Sequence, residues 1–141
     1  MAGDLHELRW RDGVDRRLAR VLELDEDDSA RLIVGHAELA QDGILAEAIR
    51  HGVSDVHVEP YESGLIVRMR IDGMLRETLS MPAHVAHVVI SRIKVMARLD
   101  IAERRMPQDG RIGLTLGGKL IDVRVSTLPS RAGERVVLRI L

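Results

Sequence analysis

An α+β domain, an antiparallel-rich sheet with helices packed on one face in the order α-βββ-α-βββ, is the fold class that three features of the sequence predict. Apolar residues switch from helical to alternating spacing after Gly52, return to helical spacing after Pro82, and alternate again after Pro107. Each alternating stretch carries a two-residue hairpin signal, Asp72-Gly73 in the first and Gly117-Gly118 in the second. Strands joined by tight turns pair antiparallel, because parallel pairing needs a crossover connection.

The elements follow in order. Val14 to Leu24 reads as an amphipathic segment with Val14, Leu18, Val21 and Leu22 on one stripe, and the acidic run Asp25-Glu26-Asp27-Asp28 after it reads as a linker. A boundary falls near residue 40, so that residues 1–40 are an N-terminal helical segment with an acidic linker and residues 41–141 form the domain. Asp42 caps a helix through Ile44, Leu45, Ala48 and Ile49, which Gly52 ends. Asp55 to Glu59 is a strand reaching Pro60. Leu65, Val67, Met69 and Ile71 then alternate with Ile66, Arg68 and Arg70, and Met74 to Leu79 returns after the turn. Ala83 to Leu99 is a long helix with Val85, Val88, Val89, Arg92, Val95, Met96 and Leu99 on one stripe, apolar apart from Arg92 and expected inward, and His87, Ser91, Lys94 and Arg98 expected outward. A polar link, Asp100 to Pro107, leads to strands through Ile112–Leu116 and Ile121–Ser126. Gln108-Asp109-Gly110 is expected to be a turn, and a loop containing Pro129 and Gly133 precedes the last strand, Val136 to Leu141.

Composition narrows the function. The chain has 141 residues, 45% apolar and 30% charged, enough for one core. Cysteine is absent, which removes disulfides, zinc–thiolate sites and cysteine nucleophiles. No apolar run approaches the ~18 residues of a membrane span and the N-terminus has no signal-peptide core, so a cytosolic protein is expected. Trp10 and Tyr61 are the only aromatic residues, which leaves almost nothing for bases to stack on and argues against nucleic acid. Residues 92–139 carry eleven basic against five acidic side chains, a surface suited to phosphates or an acidic partner.

Several catalytic patterns are present in letters and fail in context. Gly113 to Lys119 satisfies G-x-x-x-x-G-K, yet Leu120 stands where a phosphate loop needs Ser or Thr, and alternating strand sequence follows where a helix is required. His84 and His87 share a helical face but lack further metal ligands. Ser54, Asp55 and His57 hold the residue types of a triad without the strand-to-helix turn that presents a nucleophile. The expectation is a chain with no catalytic residues, no metal site and no cofactor of its own. A cyclic-dinucleotide receptor is disfavoured because the paired arginine and Asp-x-Ser-x-x-Gly spacing is missing.

Strings from Ser54 onward are more specific together: Ser54 to Pro60, Val67 to Leu75, Ser91 to Arg105, Pro107 to Arg111, Ile121 to Pro129 and Gly133 to Leu141. In that order they resemble the second N-terminal domain, a PAS-like regulatory domain, of GspE-like type II secretion and type IV pilus assembly ATPases. The resemblance covers roughly residues 44–141. Upstream, His36, Glu38, Gln41, Asp42 and Gly43 depart from the family pattern, and the family continues past the position of Leu141 into an ATPase domain that this chain does not contain.

The resemblance implies a hexameric cytoplasmic motor at the inner-membrane face, in which this domain closes over ATP and Mg held by the ATPase domain of the same protein and packs against neighbouring subunits. It tilts toward type II secretion, with pseudopilus assembly as the work done. It further implies that Arg124, in the Asp-Val-Arg-Val-Ser strand, and Arg139, in the final Val-Leu-Arg strand, contact the terminal phosphate. The alternation supports those two residues independently: Arg124 shares a phase with Asp122 and Ser126, and Arg139 lies between inward-phase Leu138 and Ile140. Arg68, Arg70 and Arg111, on the polar phase of other strands, read as ordinary exposed strand residues. A different class of function, an interaction module docking the motor to an inner-membrane platform protein, would rest on residues 1–40 or on the basic face.

Overall fold

The computed structural model describes residues 43–141 apart from Gly117. The expectations for residues 1–40, for Asp42 and for Gly117 lie outside the described residues, as do those for the side chains of His84 and Val85. Helix α1 (residues 43–50) is followed by β1 (Asp55–Tyr61), β2 (Gly64–Ile71), β3 (Met74–Pro82), helix α2 (Ala83–Met96), β4 (Gln108–Leu116), β5 (Lys119–Ser130) and β6 (Gly133–Ile140). This is the α-βββ-α-βββ order and the α+β class that the periodicity predicts.

The six strands form one antiparallel sheet in the order β3-β2-β1-β6-β5-β4. The first three strands form a meander running from the middle to one edge and the last three a meander running from the other edge back to the middle, so that the first strand joins the last, with Val56 opposite Leu138 and Val58 opposite Val136. The turn at Asp72-Gly73 has φ of 52° and 80°, the doubly left-handed geometry whose twist matches flanking antiparallel strands and which glycine adopts without strain.

One face of the sheet is the core. Val56, Val58, Leu65, Val67, Val123, Val125 and Val136 are fully buried, and burying each such side chain contributes about 1.5–3 kcal/mol. Ala86, Val89, Ile90, Ile93 and Ala97 from the second helical segment, and Ile44, Leu45 and Ala48 from α1, complete the same cluster. Residues that alternate with the buried ones are left on the opposite, polar face, as the two-residue strand period requires.

Four sequence expectations are corrected. First, α2 ends at Met96 rather than Leu99, because Arg98 takes a left-handed φ of 59° and the Arg98 and Leu99 amides donate to the carbonyls of Val95 and Lys94, a Schellman cap. Second, its inward face is rotated from the expected one. Val95 is 43% exposed, whereas Lys94 is 1% exposed. An apolar helix with few polar positions leaves its buried face ambiguous, and Lys94 is admitted to the core by an acid forty residues away.

Third, Gln108-Asp109-Gly110 is not a turn but the start of β4. The Gln108 side chain bonds Asp100 through both its amide nitrogen and its oxygen, each at 2.9 Å, and so clamps the link before it. Gly110 lies where a Cβ would come within 2.5 Å of the Ala97 carbonyl oxygen, so its small size serves a close crossing rather than a turn. Fourth, Pro129 and Gly133 belong to strands, with only Arg131 and Ala132 between β5 and β6. Pairing with β4 stops at Thr127, so Pro129 sits where one side of β5 is open.

Candidate functional site

On the polar face, register brings arginines abreast. Arg124 of β5 lies directly opposite Arg139 of β6, and on its other side opposite Arg111 of β4. Residues directly opposite in antiparallel strands project from the same face, so Arg124 and Arg139 stand side by side on adjacent strands. Both are exposed. A recess of about 180 Å³ opens between them, lined by Asp109, Arg124, Ser126, Val137 and Arg139.

The polar face also carries the groups that could have neutralised this pair, but they are engaged elsewhere. Asp55 is the cross-strand partner of Arg139 in β1. Its carboxylate accepts hydrogen bonds from Ser54 Oγ at 2.8 Å and Arg70 Nε at 3.1 Å, and lies 2.6 Å from His57 Nε2. Glu59 takes Arg68 Nη1 at 2.9 Å and the Tyr61 hydroxyl at 2.8 Å, with Arg135 Nη2 at 3.8 Å. Asp109 accepts from Ser126 Oγ at 2.7 Å. Arg68, Arg70 and Arg135 therefore have carboxylates, and Arg111 has Asp122 at 3.5 Å. Among the described residues neither Arg124 nor Arg139 has an acidic partner within 4.0 Å.

This division has an electrostatic consequence. Burial by itself raises the Asp55 carboxyl, but the hydrogen bonds from Ser54 and His57 and the nearby Arg70 charge outweigh it and hold the group below the usual carboxylate range. Burial likewise raises Glu59, and Tyr61, Arg68 and Arg135 together carry it below its ordinary value. A folded-state pKa below the unfolded one stabilises the fold above the unfolded value and is lost as pH falls through the folded value. Unfolded Asp and Glu titrate at about 3.9 and 4.3, so stability is expected to decline below about pH 4. Denaturant midpoints taken down that acid limb check it: the slope flattens in Asp55→Asn and Glu59→Gln.

The triad and phosphate-loop patterns set aside on sequence grounds lie in or beside the strands of the sheet. Ser54 donates to Asp55 rather than to His57, so the serine–imidazole contact of a triad is not made. Gly113 to Leu116 lie in β4 and Lys119-Leu120 in β5, joined by a hairpin with Leu116 opposite Lys119, so no helix N-terminus faces a phosphate there. Among the described residues no group of three His, Asp or Glu side chains could hold a metal ion, and no helix is long and apolar enough to cross a membrane.

Sequence reasoning finds Arg124, Arg139 and the phase of Ser126. It misses Asp109, which the adjoining glycine disguised as turn chemistry, and Val137, which alternation alone gives no reason to single out. It also leaves unresolved which arginines are neutralised, because that depends on the register of β1 against β6.

Comparison with known proteins identifies the family. The family described as "Type II/IV secretion system protein" matches residues 33–141. "Type II secretion system protein E" of Dickeya dadantii is 55% identical over 118 residues, 84% of this chain and 23% of that protein. The protein of the same description from Pseudomonas aeruginosa is 62% identical over 98 residues, 70% of this chain and 20% of its own length. "Type II secretion system ATPase E" of Vibrio cholerae is 56% identical over 98 residues, again 70% of this chain and 20% of its own. A crystal structure of a pilus retraction motor with bound ADP superposes with a TM-score of 0.45 and 19% identity over 68% of this chain and 27% of that one, a likeness too loose to argue from. The chain thus spans between a fifth and a quarter of the length of the relatives it matches. With the six-stranded architecture and a family match over residues 33–141, the chain belongs to the type II/IV secretion system protein family.

Proposed function

We infer that residues 41–141 are a non-catalytic regulatory domain of a secretion motor, which engages the terminal phosphate of ATP through Arg124 and Arg139. The nucleotide and Mg would be held by an ATPase domain of the same protein, and the polar sheet face would pack against that domain or its neighbour in a hexamer. The observation that carries this reading is the pair itself: two exposed guanidiniums abreast, without carboxylates, beside acids that are already engaged.

Arginine suits the role. Its planar fork gives paired hydrogen bonds to phosphate oxygens and its charge does not titrate away at physiological pH. A charge held ready by a sheet can complete an active site when another domain closes on it, with no chemistry of its own. The work done would be pseudopilus assembly at the cytoplasmic face of the inner membrane, and residues 1–40 would form a separate segment available to a membrane platform protein. The test is steady-state ATP hydrolysis by the complete motor carrying Arg124→Ala or Arg139→Ala. Loss of turnover with the fold intact supports the assignment, and wild-type turnover in both variants refutes it.

A further inference from the structure

We propose that Arg111 is a third guanidinium of the phosphate site, so that β4, β5 and β6 together present a three-arginine row to a polyphosphate. The inference rests on the reading of Arg124 and Arg139 as phosphate contacts and extends it to a residue that sequence reasoning treats as ordinary surface.

The row is fixed by backbone pairing. Arg111 is opposite Arg124, and Arg124 is opposite Arg139. Strands ~4.8 Å apart put the three Cα atoms within about 10 Å, a span that three long side chains close around one anion. Like charges directly opposite one another oppose strand pairing, and here two such juxtapositions occur in succession. A sequence that keeps both, while Arg68 and Arg70 on the same face are each given a short carboxylate contact at 2.9 and 3.1 Å, leaves a concentrated positive potential that an incoming anion relieves.

Arg111 is free to join. Its contact with Asp122 is 3.5 Å long between side chains 66% and 45% exposed, an exposed pair of the kind that adds little. It does not line the recess but stands on the β4 shoulder beside it, two residues along the strand from Asp109, whose carboxylate is occupied by Ser126. That position lets Arg111 close on the outer oxygens of a phosphate chain whose inner end meets Arg124 and Arg139.

Inorganic triphosphate, titrated calorimetrically into this chain at low ionic strength, tests the row without hydrolysis. The expected result is measurable binding that weakens roughly tenfold in Arg111→Gln and in Arg124→Gln, as for the loss of one charged hydrogen-bonding contact. Arg111→Lys, which keeps the charge but not the fork, should recover only part of it. Arg131→Gln, in the β5–β6 turn, should bind as the wild type does.

Wild-type affinity in Arg111→Gln beside weakened Arg124→Gln overturns the third contact and leaves the two-arginine reading standing. Equal losses in Arg131→Gln reduce the effect to general surface charge and also overturn it. No binding to the wild-type chain overturns the three-arginine site, while Arg124 and Arg139 are then judged separately by hydrolysis in the complete motor.

Discussion

Replacing Lys94 with methionine is expected to destabilise the domain by about 3–5 kcal/mol, a large share of the ~5–15 kcal/mol that holds such a domain folded. Lys94 Nζ is 2.9 Å from Glu134 Oε1 and donates to the carbonyls of Glu103 at 2.6 Å and Ile101 at 3.4 Å. Lysine and glutamate are 1% and 8% exposed, so neither reaches bulk water when the other is removed. The methionine fills most of the volume but leaves a buried carboxylate and two carbonyls without their donor, and the uncompensated charge dominates the cost. Adding Glu134→Leu should restore much of the loss, because a buried pair exchanged for apolar groups is often close to neutral. Restoration stays incomplete, since Ile101 and Glu103 still lack Nζ. Urea unfolding of the two variants measures both steps. The pair matters for the site because it ties α2 and the link after it to the β5–β6 hairpin, whose strands carry Arg124 and Arg139.

The second large effect is on turnover. In the complete motor, Arg124→Ala or Arg139→Ala is expected to lower kcat by about 10³-fold or more, the lower end of what arginines contribute to phosphoryl transfer in other systems. The drop should fall on kcat more than on KM, because an arginine that meets charge developing on the transferred group acts more strongly in the transition state than on bound ATP. Arg→Lys should rescue only in part, since the ammonium restores charge and not the paired geometry. The double variant should lose less than the product of the single losses, because neighbouring groups acting on one phosphate are not independent. Stability should hardly change, as both side chains are exposed and without acidic partners among the described residues.

Much of the fold is legible from residues that obey one period. Val56, Val58, Leu65, Val67, Val123 and Val125 alternate cleanly, and each is buried where alternation puts it. Asp72-Gly73 announces its own backbone geometry. The errors fall where a local rule is overridden from a distance. Lys94 looks like a solvent residue until Glu134 is brought to it, and Gly110 looks like a turn until the Ala97 carbonyl is seen to cross it.

The site divides in the same way. Strand phase identifies Arg124 and Arg139 as outward, and the phosphate contact proposed for them is what the family resemblance implies. Their distinction from Arg68 and Arg70 is a matter of register. Asp55 faces Arg139 across the strands yet turns its carboxylate to Arg70, and no spacing within one strand carries that information.

ADP alone and ADP plus aluminium fluoride, which stands for the transferring phosphoryl group, are to be compared as ligands of the complete motor and of its Arg124→Ala/Arg139→Ala variant. If Arg124 and Arg139 meet the terminal phosphate, the variant keeps its ADP affinity and its fluoride complex weakens by roughly the factor that turnover loses. Equal weakening of both complexes, or no weakening of either, would contradict it.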